Sequence, residues 1–400
     1  MPNRSLNIAI SGAGVAGPTL AWWLMRAGHR PTLIEQAPRL RTRGYIIDFW
    51  GHGYTLAERM GILPAVEDAG YKVEEVRLVD ARGRKTGGFS AELFRRATGG
   101  RFTSLPRGDL AAAIYQALGS DVEALFGATI VAMNEHESGV GVTLSNGAEC
   151  EFDLVIGADG LHSAVRALRF GPQRDYEHPL GYHVAAFEGS GYSARDELTY
   201  VGHSEPRRQI SRFAERNDRT MFLFVFTDRW LVGGEPQTPK ARKQAVAWAC
   251  QGMQWEWPDI AKCLEEADDV YFDRVSQIRM PCWSSGRVAL IGDAAAAVSL
   301  LAGEGTGLGM LEAYVLAGEL AAANGDHRKA FEAYEARLRP FIASKQRAAR
   351  RFASAFAPRT RFGIWFRDRV TRLLGSSAIA ERLVLGELRD DLPLPDYTFC

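Results

Sequence analysis

Three glycines, at positions 12, 14 and 17, constrain this chain more than any other feature, because of where they fall. They follow an apolar, β-compatible run from Leu6 to Ser11 and open a helical pattern, PTLAWWLMRA, that stops at Gly28. In that setting G-x-G-x-x-G has a physical meaning. Gly12 permits the tight turn, Gly14 the close approach of a pyrophosphate, and Gly17 the close packing of helix on strand. The N-terminal N–H groups and dipole of the helix then favour the phosphates. A second strand, PTLIEQ, carries Glu35 at its end, where a carboxylate can accept hydrogen bonds from both hydroxyls of an adenosine ribose. Strand, loop, helix, strand and acid in register read as the opening of a doubly wound nucleotide-binding fold. The competing reading is a glycine-rich turn without a ligand, and this motif alone does not separate FAD from NAD.

Two later segments extend the reading. In EFDLVIGADGLHSAVR a buried strand runs into a turn at Asp159-Gly160, and Ser163 is placed to cap the short helix that follows. From Arg287, RVALIGD reads as a strand, AGEGTGLG as a glycine-rich loop and MLEAYVLAGEL as a helix. Asp293 would bind the ribityl hydroxyls of a flavin. The amides of the loop Gly303–Gly307, among them Gly305 and Thr306, would face the flavin N1/O2 edge, where negative charge appears on reduction. NAD would have no use for this second arrangement, although Gly-Asp beside glycines is itself common at strand ends.

Between these segments the texture becomes aromatic and β-like, as in Gln209–Arg216 and Thr220–Phe226, with one helical stretch at Lys240–Cys250. The expected fold class is α/β: a discontinuous Rossmann-like FAD-binding domain (1–175 plus 285–330), an inserted mixed β-sheet substrate domain (176–284) and a C-terminal helical segment (331–400). Part of 75–105 is assignable to the substrate sheet.

Lys+Arg and Asp+Glu both number 48, so net charge gives no reason to expect nucleic acid or an anionic membrane as the main partner. A small molecule is expected instead. The five cysteines, Cys150, Cys250, Cys263, Cys282 and Cys400, include no Cys-x-x-Cys pair, so reduced thiols in cytoplasm, no disulfide framework and no metal site are expected. No run of roughly 20 apolar residues suggests a membrane span. The basic amphipathic piece RTRFGIWFRDRVTRLLG could lie on a membrane, but is read as a solvated helix covering the two domains. WEWPDI lacks the Ile-Pro pair of the W-x-W-x-I-P of flavin-dependent halogenases and is read as a helix-to-helix corner.

With GAGVAG and Glu35, GADGLHSAVR, and GDAAAAVSLLAGEGTGLGMLEA in order, and RGYIIDFWGHG and LPRGDL matching in style, the chain resembles the class A flavoprotein monooxygenases over roughly residues 5 to 345. The resemblance implies non-covalent FAD, NADPH or NADH as co-substrate, O2, and hydroxylation of an electron-rich aromatic or enolic molecule, polyketides included, through a flavin C4a-hydroperoxide. It assigns Gly12, Gly14, Gly17 and Glu35 to the ADP half of FAD, Arg107 to the FAD chain, Asp159 and Gly160 to a motif shared by FAD and NAD(P)H, and Asp293 to the ribityl chain. Arg43 and Asp48 fall, more loosely, in the segment that passes along the flavin. The chain departs from the family at Ala296, where His is usual, at Ser299-Leu300, where Pro is common, and at Gly307, where Asn is usual. Candidate substrate contacts on the central sheet are Arg212, to pair with an anion, and Phe224, to stack on a ring, with His183 as a proton acceptor; each has a structural alternative. No side chain is assigned as catalytic. A flavin-dependent dehydrogenase or reductase, a non-catalytic FAD-binding redox sensor and an NAD-only dehydrogenase remain alternatives, and the assembly is read as monomer or homodimer.

Overall fold

Ile8, Ala9 and Ile10 have no exposed surface, which is what a strand inside a parallel sheet covered on both faces requires. In a computed structural model describing residues 5–41, 44–231, 233–374 and 392–399, their strand, Asn7–Ser11, lies inside a six-stranded sheet. It runs parallel to Arg30–Glu35 on one side and to Leu154–Gly157 on the other. Glu123–Phe126 extends the first side, and Val288–Leu290 with the short Ser284–Ser285 extends the second. The chain thus builds outward in two directions from Asn7–Ser11, and it is at the carboxyl ends of strands at such a switch point that sheets of this kind bind ligands.

The helix Gly305–Ala322 crosses this domain with every residue from Leu308 to Leu320 buried. A helix that is apolar all round belongs inside a core, and Ala16–Arg26, Gly51–Arg59 and the long helix His327–Phe356 pack on it. The mixed α/β class of the sequence reading is what the fold has.

A seven-stranded sheet forms the second layer, in the order Tyr271–Ile278, Glu177–Ser190, Arg219–Thr227, Arg208–Ala214, Thr199–Glu205, Glu75–Val79, Lys85–Ser90. The last two strands come from the stretch between the nucleotide motifs. Alternation gives this sheet two unlike faces. Phe222, Phe224 and Phe226 join Val246, Trp257, Ile260 and Leu264 in an outer core under the helices Pro239–Ala249 and Trp257–Glu266. Val225 and its neighbour Leu223 turn the other way and meet Val184, Leu300 and Leu301. The inner face therefore looks toward the third glycine-rich segment. Trp255 and Trp257 sit at the entry to the second of those helices, so WEWPDI is the aromatic corner expected of it.

Candidate functional site

Gly12 takes φ of +106°, and a Cβ there would lie 2.5 Å from the Ala158 carbonyl oxygen. The turn and the neighbouring strand end therefore both demand glycine. A Cβ on Gly17 would sit 2.0 Å from the Gly12 oxygen, so helix and loop touch backbone to backbone. Gly14 differs: the nearest neighbour of a Cβ there is the Arg107 guanidinium, at 3.5 Å. No side chain caps the helix Ala16–Arg26, so its N-terminal dipole is left for a ligand. The Glu35 carboxylate accepts the N–H groups of Ala13 and Ala37, both at 2.8 Å, which fixes it under the glycine loop.

Asp159 accepts the N–H groups of Ala164 at 2.9 Å and Val165 at 3.1 Å with one oxygen. Its other oxygen is buried with no hydrogen-bond partner, an acceptor that a ligand hydroxyl or a water would satisfy. Burial raises the Asp159 pKa despite hydrogen bonds from Ser163, Val165 and Ala164. Ser163 caps the helix Ala164–Arg169 by accepting the Arg166 N–H at 2.9 Å. Arg166, which the sequence reading passed over, is fully buried and donates to the Ala294 carbonyl at 3.0 Å and to that of Leu161 at 2.5 Å. It clamps the second motif to the third. A long cationic side chain between apolar Val165 and Ala167 in so short a helix was the available signal.

Arg107 and Asp293 keep exposed surface, yet loss of hydration is the largest influence on both. Both groups are reached by solvent yet surrounded by protein atoms. Burial raises the Asp293 pKa while Arg107 opposes the rise. Burial works against the Arg107 charge, but Tyr45, Asp293 and Tyr271 hold its pKa above the usual value. The Tyr45 and Tyr271 rings lie 5.5 Å apart across the junction of the two domains. His162, within the second motif, pairs with Asp273 at 3.2 Å. Gly305, Thr306 and Gly307 form the first turn of a helix that no side chain caps, rather than a separate loop, and Gly305 lies near Asp293. Just before them Ser299 takes φ of +152°, a strained backbone for a residue with a side chain.

Around Asp48, placed by the sequence only loosely along the flavin, the inner sheet face adds partners that the sequence did not disclose. Ser104 donates to Asp48 at 2.5 Å, and Tyr200, on the inner face, is also hydrogen-bonded to Ser104. Burial raises the Asp48 pKa, with Ser104 opposing, and burial likewise pushes Tyr200 well up. Both stay partly accessible. Beside them runs a ladder of rings: Phe89 to Phe94 at 5.5 Å, Phe94 to Phe102 at 5.7 Å and Phe102 to Trp50 at 6.2 Å. Trp50 ends against Gly303.

Arg212 and Phe224 are not brought here, and the expectation for both is corrected. Phe224 is fully buried in the outer core. Arg212 pairs across the strands with Phe222 on that same face, and its guanidinium is held by Glu256 at 2.6 Å and Asp196 at 2.7 Å. His183, opposite Phe226, is also an outer-face residue, and burial lowers its pKa. Arg43 lies outside the described residues.

The FAD binding domain family model matches residues 5–349. A flavin-dependent monooxygenase from an unknown prokaryotic organism is 32% identical over 362 residues, covering 90% of this chain and 89% of the relative. The crystal structure of tetracycline destructase Tet(51) matches with a TM-score of 0.83 at 29% identity, covering 98% of this chain and 100% of the other. Klebsiella pneumoniae HpxO, solved with FAD and uric acid, shares the fold with a TM-score of 0.76 at 22% identity over 96% of this chain and 95% of its own.

Proposed function

Because the chain belongs to the FAD binding domain family and is an FAD-dependent monooxygenase of the hydroxylase type, we propose that it hydroxylates an aromatic or enolic small molecule, with NADPH or NADH as the reductant. The net reaction joins substrate, O2, NAD(P)H and a proton, and yields hydroxylated substrate, water and NAD(P)+. Bound FAD supplies the electron storage and oxygen activation.

The residues divide the rest of the work. Gly12 and Gly17 bring turn, strand and helix together and Gly14 leaves room for the pyrophosphate against the first helix, while Glu35 offers its remaining lone pairs to a ribose. Arg107, facing Gly14, neutralises phosphate charge. Asp293 serves the ribityl chain, and the amides at Gly305 and Thr306 stabilise negative charge at the flavin edge. Asp159 and Gly160 complete the floor. The buried Asp159 oxygen without a partner and the uncapped first helix fit such a group.

The observation that carries the substrate reading is the pairing of Asp48, Ser104 and Tyr200 with the ring ladder on the inner sheet face. Asp48, Ser104 and Tyr200 offer hydrogen-bonding groups to a phenol, enol or carbonyl oxygen, and flat aromatic walls receive a planar ring. The sheet packed over the nucleotide-binding sheet would keep water from the oxygen transfer.

The test uses FAD-loaded protein, a panel of phenols and enolic polyketides, each reduced nucleotide in turn and 18O2. Substrate-stimulated NAD(P)H oxidation with 18O in the product is expected. Stimulated oxidation yielding product without 18O would make the chain a dehydrogenase or reductase, and slow oxidation indifferent to every substrate would favour a redox sensor.

A further inference from the structure

The helix Arg361–Leu374 has two sides with different fates. One side is docked. Thr86 donates to Asp368 at 2.6 Å, Gly88 donates its N–H to the Thr371 hydroxyl at 3.0 Å, and a Cβ on Gly87 would lie 2.7 Å from the Asp368 Cα. The helix is thus seated tightly on the edge strand Lys85–Ser90. The other side carries Phe362, Trp365 and Phe366 at 70%, 53% and 56% exposure, with Val370 also exposed. Spacing of three and four residues puts these on one stripe. Their rings stack, Phe362 to Trp365 at 5.7 Å and Phe362 to Phe366 at 6.4 Å. Around them Arg361, Arg369 and Arg372 are exposed, with Arg369 lying 5.7 Å from the Trp365 ring centre. The helix has a single acid, Asp368, and it is buried.

A contiguous aromatic patch of this kind marks an interaction surface, and its charge selects the occupant. A second copy docking by the same stripe would set arginines against arginines. Three aromatic side chains also fall well short of the ~800 Å² per partner of a stable dimer. Rings flanked only by arginines match an anionic lipid surface, where aromatic side chains sit at the headgroup–acyl boundary and guanidinium groups meet phosphates. At 14 residues the helix is about 21 Å long, too short for a hydrocarbon core of roughly 30 Å. No helix among the described residues is long and apolar enough to cross a membrane.

We propose that the helix Arg361–Leu374 is a peripheral docking element for an anionic membrane surface, lying flat with Phe362, Trp365 and Phe366 inserted. Formal net charge is zero, so the attraction comes from this local patch and is screened within about 10 Å at 0.1 M salt. Docking of this helix is independent of which substrate is oxygenated, or whether one is.

Full-length protein loaded with FAD is pelleted with vesicles of mixed phosphatidylcholine and phosphatidylglycerol, and with vesicles of phosphatidylcholine alone. Binding stronger by at least about tenfold on the anionic vesicles is expected, falling as salt is raised. The combined variant F362S/W365S/F366S should lose at least about tenfold in binding while keeping its flavin and its melting temperature. The variant R361Q/R369Q/R372Q should lose the preference for phosphatidylglycerol. Absence of binding to either vesicle, or binding that the aromatic variant leaves intact, would overturn the proposal. A vesicle-free dimer that the aromatic variant dissociates would also overturn it and give the face to a second copy.

Discussion

Glu312 holds the third motif in place from within the core. Its carboxylate accepts the Gly292 N–H at 2.6 Å and the Tyr334 hydroxyl at 3.2 Å, and so props the strand end that presents Asp293. Burial raises its pKa from 4.5 to about 8, against the pull of those two donors. In the unfolded chain the carboxyl loses its proton near pH 4.5, and in the folded chain only near pH 8. The folded state therefore holds more protons inside that window. The contribution of this group is fully present below pH 4.5, is lost progressively as pH rises and is flat above pH 8. Glu312→Gln keeps an acceptor oxygen for Gly292 but cannot ionise. Relative to that variant, wild-type stability should fall between pH 5 and 8 by on the order of a few kcal/mol. Melting curves of the two proteins across this range check it, and parallel pH profiles would mean that Glu312 is ionised in the fold throughout.

At the scale of elements, the seven-stranded sheet shows what a sequence can and cannot convey. Apolar, aromatic texture was enough to read strands at Gln209–Arg216 and Thr220–Phe226, close to the observed Arg208–Ala214 and Arg219–Thr227. Facing was not legible, because side chains alternate with a period of two and both faces of this sheet are apolar. One position separates Phe224, sealed under two helices, from Leu223, which meets Leu300 beside the third motif. The glycine motifs were more transparent because backbone sterics alone dictate Gly12 and Gly17. Asp48, Ser104 and Tyr200 come together only through the register of Ile46–Trp50 on Phe102–Pro106 and the docking of a distant strand, which no local pattern encodes. The facing has a direct consequence for paired variants. Phe224→Ala should cost about 3–5 kcal/mol of stability and leave the KM of any substrate that stimulates NAD(P)H oxidation unchanged. Leu223→Ala, partly accessible on the inner face, should cost less stability and shift that KM by about threefold or more, a loss of roughly one buried methylene or more in binding. Unfolding curves and steady-state kinetics separate the two, and a KM shift confined to Phe224→Ala would reverse the assignment of faces.

Across the whole molecule, the segment 392–399 works as a strap over the nucleotide domain. His52 bonds the Leu392 carbonyl at 2.8 Å, Tyr314 donates to the Pro395 carbonyl at 2.7 Å, and Tyr397 donates to Glu319 at 2.6 Å. Phe399 lies 4.8 Å from Trp23. The strap thus joins Gly51–Arg59, Gly305–Ala322 and Ala16–Arg26, none of which has its N-terminus capped by a side chain. Its seat is Gly318, where a Cβ would come within 2.1 Å of the Tyr397 ring. Two opposed effects meet at that position. Alanine favours an isolated helix over glycine by about 1 kcal/mol, whereas overpacking a fitted contact costs about 1–3 kcal/mol. In the full chain the clash should win, and Gly318→Ala should lower stability. In a chain ending at residue 391 the ring is gone, so the same substitution should be neutral or stabilising. The difference between the two backgrounds, read by denaturant unfolding as a double-mutant cycle, measures the coupling between strap and helix. An equal loss in both would mean that Gly318 is required by the helix packing itself, and that the strap rests on the domain without helping to hold it.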